Sequence, residues 1–401
     1  MGVARARIAL AAASVGSRSE HRPTEPHGTA GYPTRAMTSA GEWIDVLDEW
    51  YPPSWAEEWD NCGLQAGDRS WAAERVLVAL DPTAEVVAEA ADKGCGLLVT
   101  HHPLLFRPVS RVDAGDPFGR AVATALSGNV TLVACHTNAD VASPGVSDAL
   151  AEALGLEVTG VLNRTRAGER MKLVTFVPVE STAKVLDAIV TAGGGVIGEY
   201  SHCSFRVRGT GTFLPSDRAA PAIGERGTLN EVEEDRLEVV VPNERVGAAI
   251  EAMIDAHPYE EVAYDVYPLA SGGGLGLGRV ARLPEPITAT VLAEHCRERL
   301  GGSAVRMAGD GRREVRTVAV CGGSGASLIP SAVRAGVDAY VTGDVKHHDA
   351  LDASAEGLVV VDAGHHGTEW PFVPHLAARL REAALGEVLV SEVSTDPFAK
   401  R

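Results

Sequence analysis

The sequence predicts an α/β protein in which two similar α/β halves with mostly parallel sheets form one domain, interrupted by an inserted ferredoxin-like α+β domain. Short apolar segments alternate with helical segments in residues 40–165 and again in residues 275–395, as in βαβ units. Between them, residues 170–270 show the order β-α-β-β-α-β, which is typical of ferredoxin-like domains. With 401 residues, 45% hydrophobic and 22% charged, the chain has the length and composition of a globular protein with several domains.

The first half begins near Trp43, where apolar residues at helical spacing predict a helix that stops at Pro52. The next segment, WDNCGLQAGD, is predicted to be a loop. Buried strands are predicted at three short apolar segments, RVLVAL, GLLVT and TLVAC, the last running into a loop through HTNAD. Helices are predicted between and after them at AEVVAEAADKG, AVATALSG and SDALAEALGL.

The inserted domain differs from the halves because its strands are longer and come in pairs. Strands are predicted at KLVTFVPVE, RLEVVVP and EVAYDVYPL, with one long strand or a hairpin at EYSHCSFRVRGTGTFLP. Helices are predicted at STAKVLDAIVTAGG and ERVGAAIEAMIDAHP. The glycine-rich run that follows, SGGGLGLGRV, is predicted to be a hinge that returns the chain to the first domain.

The second half repeats the alternation of the first. Its predicted strands are EVRTVAV, DAYVTGD and LVVVDAG, and its predicted helices follow at ASLIPSAVRAG, HHDALDASAEG and FVPHLAARLREAAL. The predicted boundaries are a flexible N-terminal extension over 1–36, the first half over 37–168, the insert over 169–271 and the second half over 272–401. Alternatively, residues 1–36 lie upstream of a start at Met37.

Charge and composition exclude several classes of function. The chain carries 36 Lys and Arg against 54 Asp and Glu, a net charge of −18, which argues against binding nucleic-acid backbone. It lacks any apolar run long enough to predict a transmembrane helix. The six cysteines are scattered without a C-x-x-C pair and are expected to be reduced thiols. The first residues resemble a signal peptide only weakly, so we expect a cytoplasmic protein.

Histidines gather where predicted strands end. Of the 13 histidines, five lie in three such segments: THH, CHTNAD and GHHGTEW. His101 and His102 follow the first strand, and His136 and Asp140 follow the second. His365 and Glu369 are four residues apart and share one face if the segment is helical. Each segment alone has an ordinary structural interpretation, as surface or loop-ordering residues.

The three segments together predict a metal site, because the carboxyl ends of parallel strands converge at one edge of a sheet. The candidate ligands are His101, His102, Asp140, His365 and Glu369. Imidazole and carboxylate without thiolate suit zinc, iron or manganese. A catalytic zinc ion takes only three protein ligands, so five side chains fit two divalent ions ~3.5–4 Å apart, with a bridging carboxylate and water.

Three further segments remain open to two interpretations each. VCGGSGASL is either an anion-binding turn or a tight packing turn. In TGDVKHHDA, Asp344 and His347 line the mouth of the same site or simply start a helix at the surface. Asn61 either orders its loop or contacts substrate. For proton transfer the candidates are Asp344, His136 and His347.

Six motifs occur in the order seen in the NGG-interacting-factor-three-like family, also called the GTP cyclohydrolase I type 2 family. They are DNCGLQ, THHPLLF, CHTNAD, CGGSG, TGDVKHHDA and GHHGTE, and the resemblance extends from Trp43 to the last helix. The segment HPYEEVAYDVYPL resembles the end of the PII-like insert of the longer members. One departure is Asp344, where many members carry Glu.

The resemblance implies a dinuclear metal centre between the two halves. It places metal ligands at His101, His102 and Asp140, and also at His365 and Glu369, with Glu369 bridging the ions. His136 is expected beside the ions without binding them. The resemblance also implies a homohexameric toroid whose metal sites face an inner cavity.

The leading functional prediction is a metal-dependent hydrolase resembling GTP cyclohydrolase I type 2. The resemblance implies that metal-bound hydroxide attacks a nucleotide or related small molecule, opening the imidazole ring of GTP at C8. An alternative, motivated by the PII-like insert, is a metal-bound regulatory or scaffold protein without turnover. Binding to DNA or a transcription partner is a third hypothesis, and the net charge of −18 argues against DNA.

Overall fold

The computed structural model describes residues 37–165, 169–269, 275–301 and 305–398. In these ranges the strands form three sheets, connected by helices, and the predicted α/β class is confirmed. The predictions for residues 1–36 lie outside the described residues. Within the described part of the chain, no helix has the length and apolar character needed to cross a membrane.

The first sheet has five strands in the described residues, in the order β1-β4-β3-β2-β15. The strands are β1 Gly63–Ala66, β2 Arg75–Ala79, β3 Leu97–Thr100, β4 Thr131–Ala134 and β15 Glu387–Val390. All pairings from β15 to β4 are parallel, and β1 pairs antiparallel with β4. The segment predicted to be a loop at residues 59–68 therefore contains β1, an edge strand of only four residues.

Helices cover both faces of this sheet. They are α1 Ala40–Trp50, α2 Ala84–Asp92, α3 Pro117–Ser127, α4 Thr137–Val141, α5 Val146–Ala153 and α12 Phe372–Glu382. Ser39 and Glu42 form a capping box that starts α1. Val76 and Val78 of β2 pack towards α1 and α12, whereas Leu77 packs towards α2 and α3. Burial on both faces explains why these strands are continuous apolar runs.

The second sheet has six strands in the described residues, in the order β11-β14-β13-β12-β10-β5. They are β5 Glu157–Arg164, β10 Gly276–Thr288, β11 Arg306–Ala308, β12 Glu314–Val320, β13 Ala339–Thr342 and β14 Val359–Asp362. Its helices are α8 Ala289–Leu300, α9 Ile329–Ala335, α10 His347–Ala355 and α11 His365–Glu369. One-turn 3₁₀ helices occur at Pro53–Trp55, Val179–Ser181, Asn243–Arg245 and Ala326–Leu328.

The second sheet corrects the prediction of mostly parallel sheets. Only β12, β13 and β14 pair in parallel, whereas β5, β10 and β11 join antiparallel. Two of the three antiparallel pairings involve β10, a strand of 13 residues that includes part of the predicted hinge and pairs with both β5 and β12. Residues 271–274 of that hinge lie outside the described residues.

The third sheet is antiparallel, with the order β7-β8-β6-β9 in the described residues. Its strands and helices are β6 Arg170–Pro178, α6 Thr182–Thr191, β7 Ser204–Phe213, β8 Asn230–Pro242, α7 Val246–Ala256 and β9 Tyr264–Pro268. Both helices pack on one face, against Leu173, Leu237 and Val239. The element order is β-α-β-β-α-β, and β7 is one strand, not a hairpin. The identification as a PII-like insert and the domain boundaries remain predictions.

A buried ion pair joins α5 to the second sheet. Arg279 of β10 is only 1% exposed, and its Nε and Nη2 donate to the carboxylate of Asp148 at 2.8 and 2.7 Å. The same guanidinium also donates to the carbonyls of Ala142, Gly276 and Gly278. Because every partner of this charge is a protein oxygen, α5 and β10 are held in a fixed relation.

Candidate metal centre

Two groups of side chains come from the ends of adjacent parallel strands in the first sheet. His101 and His102 directly follow β3, and His136 follows β4 and precedes α4. The segment predicted to be a loop after β4 is instead the short helix α4, which carries Asp140. Nε2 of His101 lies 3.8 Å from Oδ1 of Asp140.

The second sheet contributes the other two predicted ligands. β14 ends at Asp362, and α11 begins at His365 and ends at Glu369. These two side chains therefore share one helix face, and Nε2 of His365 lies 3.1 Å from Oε2 of Glu369. The structure thus brings together all five residues that the sequence predicted as metal ligands.

Glu369 is at the centre of the cluster and is only 4% exposed. Its Oε1 is 3.5 Å from Nε2 of His101, and its Oε2 is 3.1 Å from Nε2 of His102. The ligand atoms of His102, His365 and Glu369 all lie within 4.8 Å of one another, as do those of His101, His102 and His136. These groups could hold a metal ion.

Each of the four imidazoles in the cluster is anchored through Nδ1. The oxygen partners lie at 2.6–2.8 Å: Cys135 O for His101, Asp81 for His102, Asp60 for His136 and Asp344 for His365. A backbone carbonyl can only accept a hydrogen bond, so Nδ1 of His101 carries a hydrogen. In the neutral ring, Nε2 then carries a lone pair that can bind a metal ion. Oxygen partners of this kind orient metal-binding histidines in proteins.

The centre of the cluster contains buried polar atoms without a hydrogen bond. Nε2 of His101 and Oε2 of Glu369 are both buried, and neither makes a hydrogen bond with the described residues. Burying such atoms unsatisfied costs free energy. Lone pairs on nitrogen and oxygen that face one another at 3.1–3.5 Å are satisfied by a cation between them. The donor set therefore fits a divalent metal.

The charges of the cluster shift the pKa values of its members. Burial lowers the pKa of His102, but the carboxylates of Asp81 and Glu369 outweigh it and raise the pKa to about 10. Burial also lowers the pKa of His365, but Glu369 and Asp344 raise it to about 9. For Glu369, burial raises the pKa, yet the imidazoles hold it well below its usual value. A metal must therefore displace protons from this site.

The glycine-rich loop after β12 packs directly against Glu369. A Cβ atom on Gly323 would lie 2.0 Å from Oε1 of Glu369, so only glycine leaves room for the carboxylate. The N–H of Gly323 donates to Oγ1 of Thr368, and its carbonyl accepts from Gly343. Of the two interpretations of this loop, the contacts favour a tight packing turn.

The remaining candidates fall into two groups. Asp344 and His136 belong to the cluster, since Asp344 holds His365 and His136 lies beside His101 with ring centroids 5.2 Å apart. His347 lies at the exposed start of α10 against His348, and in the described part of the chain no hydrogen bond or ion pair links it to the cluster. Asn61 donates to the carbonyl of Leu105, which favours its role in ordering the loop.

Two carboxylates of the cluster are absent from the sequence prediction. Asp81 directly follows the apolar segment VLVAL, which contains most of β2, so the same rule about strand ends identifies it. Asp60 immediately precedes Asn61, and it accepts from His136 as well as from the backbone and hydroxyl of Thr137. Only the fold shows that these residues anchor imidazoles.

The sequence of residues 38–397 matches the family described as Duf34/NIF3 (NGG1p interacting factor 3). The chain belongs to the Duf34/NIF3 family. This confirms the family resemblance predicted from the six motifs.

Curated relatives match this chain over nearly their full length. A relative from Mycobacterium tuberculosis is 44% identical over 362 residues, covering 88% of this chain and 95% of the relative. One from Bacillus subtilis is 42% identical over 360 residues, covering 88% and 96%. Both are named GTP cyclohydrolase 1 type 2 homolog.

Solved structures support the same assignment. A Bacillus cereus protein related to NIF3 is 41% identical, with a TM-score of 0.70 and coverage of 92% of this chain and 100% of that chain. The Staphylococcus aureus protein SA1388 is 29% identical, with a TM-score of 0.74 and the same coverage. The described α/β architecture is therefore that of the family.

Proposed function

We propose that the cluster binds two divalent ions (zinc, iron or manganese) and that the protein is a metal-dependent hydrolase of the GTP cyclohydrolase I type 2 kind. The observation that carries this proposal is that imidazole and carboxylate atoms with lone pairs lie close together, and that two of them, Nε2 of His101 and Oε2 of Glu369, are buried without hydrogen bonds. His101 and Asp140 would hold one ion, His102 and His365 the other, with Glu369 between them. The two oxygens of Glu369 already face different histidines.

The chemistry of such a site divides between the ions and the side chains. Two bound ions would supply Lewis acidity and generate a nucleophile from water at neutral pH. Asp81 and Asp344 keep Nε2 of their histidines directed at the centre. Nδ1 of His136 is hydrogen-bonded to Asp60, which leaves Nε2 to take up or deliver a proton.

Exposed aromatic side chains beside the cluster support a flat heterocyclic substrate. Trp59 is 60% exposed and Phe106 is 50% exposed, although large aromatic side chains usually lie in the interior. Their ring centroids are 5.9 Å apart, and both lie 6.1 Å from the ring of His136. A nucleobase can stack on aromatic faces of this kind. We therefore favour a nucleotide or a related small molecule as substrate.

The test is metal content followed by turnover. Elemental mass spectrometry on untagged protein purified without chelator should give about two equivalents of metal per chain. His101→Ala and Glu369→Ala should lose both the metal and hydrolysis in a nucleotide screen, whereas His348→Ala, on an exposed histidine outside the cluster, should keep both. Metal-dependent turnover that persists in either of the first two variants would contradict the assignment.

The second candidate function is a metal-bound regulatory or scaffold protein without turnover. It is favoured by a large cavity against the four-stranded sheet, whose lining residues share none with the metal cluster. The nucleotide screen separates the two functions, because tight binding without product supports regulation.

We also propose a homohexamer, as the family resemblance implies, and a cytoplasmic location, as the scattered cysteines without a C-x-x-C pair suggest. Light scattering on the purified chain of 41.9 kDa should give six times that mass. A monomeric or dimeric mass would contradict the hexamer.

A further inference from the structure

A cavity of about 1080 Å³ lies against the four-stranded antiparallel sheet. Its walls come from β7, β8, the segment after β7 and the HPYEE segment that precedes β9. A volume of this size accommodates a small organic ligand. The metal centre uses none of these residues, so the cavity requires a separate explanation.

The most unusual group in the cavity wall is the carboxylate of Glu234, a residue that is only 8% exposed. Its Oε1 accepts a hydrogen bond of 2.8 Å from the hydroxyl of Tyr259. Burial and the neighbouring Glu234 both raise the pKa of Tyr259, so the phenol keeps its proton and remains the donor. Oε2 of Glu234 accepts no hydrogen bond from the described residues. Oε2 lies against Gly211 in the cavity wall, where it can accept a hydrogen bond from a ligand N–H.

The neighbouring strand is shaped around this carboxylate. A Cβ atom on Gly211 of β7 would lie 2.1 Å from Oε2 of Glu234, which no real side chain allows. Glycine at this position therefore lets Glu234 reach across β7 to the cavity. Tyr259 is fixed in turn, since its N–H donates to Nδ1 of His257, whose Nε2 donates to the carbonyl of Phe176.

The other walls suit a planar ligand. Phe176 and Phe213 present aromatic rings to the cavity, and the guanidinium of Arg236 lies 5.7 Å from the ring centroid of Phe176. Arg218 also lines the cavity, and it forms no ion pair with the described residues. The cavity thus offers a carboxylate acceptor, aromatic faces and a cation that is available to a polar or anionic substituent.

We propose that this cavity binds a planar group whose adjacent N–H groups donate hydrogen bonds to the carboxylate of Glu234. Such a group is either a guanidinium or a 2-aminopyrimidinone ring such as guanine. Paired N–H donors on a carboxylate are among the stronger and more directional hydrogen bonds in proteins. The same donors would satisfy the free Oε2 and share Oε1 with Tyr259, since a carboxylate oxygen accepts more than one bond.

Calorimetry on the full chain tests the proposal with three probes: guanosine, the guanidinium compound agmatine, and inosine, which lacks the 2-amino group. We expect guanosine or agmatine to bind, and whichever binds identifies the ligand class. Affinity should fall at least about 10-fold in Glu234→Gln, which loses the charge, and in Gly211→Ala, which displaces the carboxylate. Gly160→Ala is the matched strand-glycine control, because its Cβ meets nothing within 4 Å.

The same titrations separate this site from the metal centre. Binding that survives His101→Ala belongs to the cavity, so a failed hydrolase assignment leaves the result intact. The proposal is overturned if neither guanosine nor agmatine binds, or if binding persists unchanged in both cavity variants. It is also overturned if inosine binds as tightly as guanosine while agmatine does not bind. Where Glu234→Gln does not fold, Gly211→Ala and the comparison with inosine decide.

Discussion

Replacing Gly323 by alanine should weaken metal binding, although none of the proposed metal ligands is substituted. Gly323 has φ +63°, and a Cβ there would lie 2.0 Å from Oε1 of Glu369 and 3.3 Å from Nε2 of His365. Real Cβ atoms essentially never approach other atoms closer than 3.0 Å, so the carboxylate must retreat by about 1 Å. Changes to the groups that orient a metal ligand typically cost about 10- to 100-fold in metal affinity. We therefore expect a metal dissociation constant about 10- to 100-fold higher in Gly323→Ala.

The matched control is Gly336→Ala, which isolates the backbone strain. Gly336 has φ +66°, and a Cβ there meets nothing within 4 Å. Both alanines carry the left-handed backbone cost of about 1–2 kcal/mol, so both variants should unfold more easily than the parent chain. Only the variant at Gly323 should also lose metal, as measured by chelator competition alongside calorimetric unfolding. A folded Gly323→Ala with unchanged metal affinity, or an equal loss in Gly336→Ala, would refute the reasoning.

Three further predictions follow from the cluster and the buried ion pair. Asp81→Asn should weaken metal binding by about 10- to 100-fold in chelator competition, because the anchor of His102 is lost, whereas exposed Asp68→Asn should leave it unchanged. Metal affinity should rise with pH between about 6 and 8. Without metal, the pKa values of His102 and His365 are about 10 and 9, so protons compete with the metal and a rising pH removes them. A flat pH profile of metal affinity would contradict this. Asp148→Ala should reduce the free energy of unfolding in urea by about 3–5 kcal/mol, because the buried charge of Arg279 then lacks its carboxylate partner. A loss of stability no larger than that of Asp310→Ala, at an exposed aspartate, would argue against this.

The sequence predicts the parts of the site that follow local rules. His101 and His102 follow an apolar run, and His365 and Glu369 have helical spacing, so strand ends and helix periodicity are enough to group them. The pairing of these imidazoles with their anchoring oxygens does not follow such rules, although Asp81 itself lies just after a strand end. Asp81 is 21 residues from His102, and Asp60 is 76 residues from His136, so their roles depend on how β2, β1 and α4 meet in space.

The fold is predictable to a similar extent. Strands buried on both faces, such as β2 and β13, are recognisable as short apolar runs. β10 is not, because its segment GLGRVARLPEPIT contains two glycines and two prolines, which are rare in strands. Its buried Arg279 is tolerated only because Asp148 arrives from α5, a tertiary contact that no local pattern contains. β15 is a run of four residues whose partner β2 lies far away in the sequence.

That distance has a consequence for how the protein is made. Arg75 of β2 and Glu387 of β15, which pair in the sheet, are separated by 312 residues. A ribosome adds about 5–20 residues per second, so roughly 15–60 s pass between synthesis of the two strands. Throughout that interval the backbone groups along one side of β2 have no partner strand, and such an edge invites pairing with other chains. The first sheet is therefore completed only when the last described strand of the chain has been made.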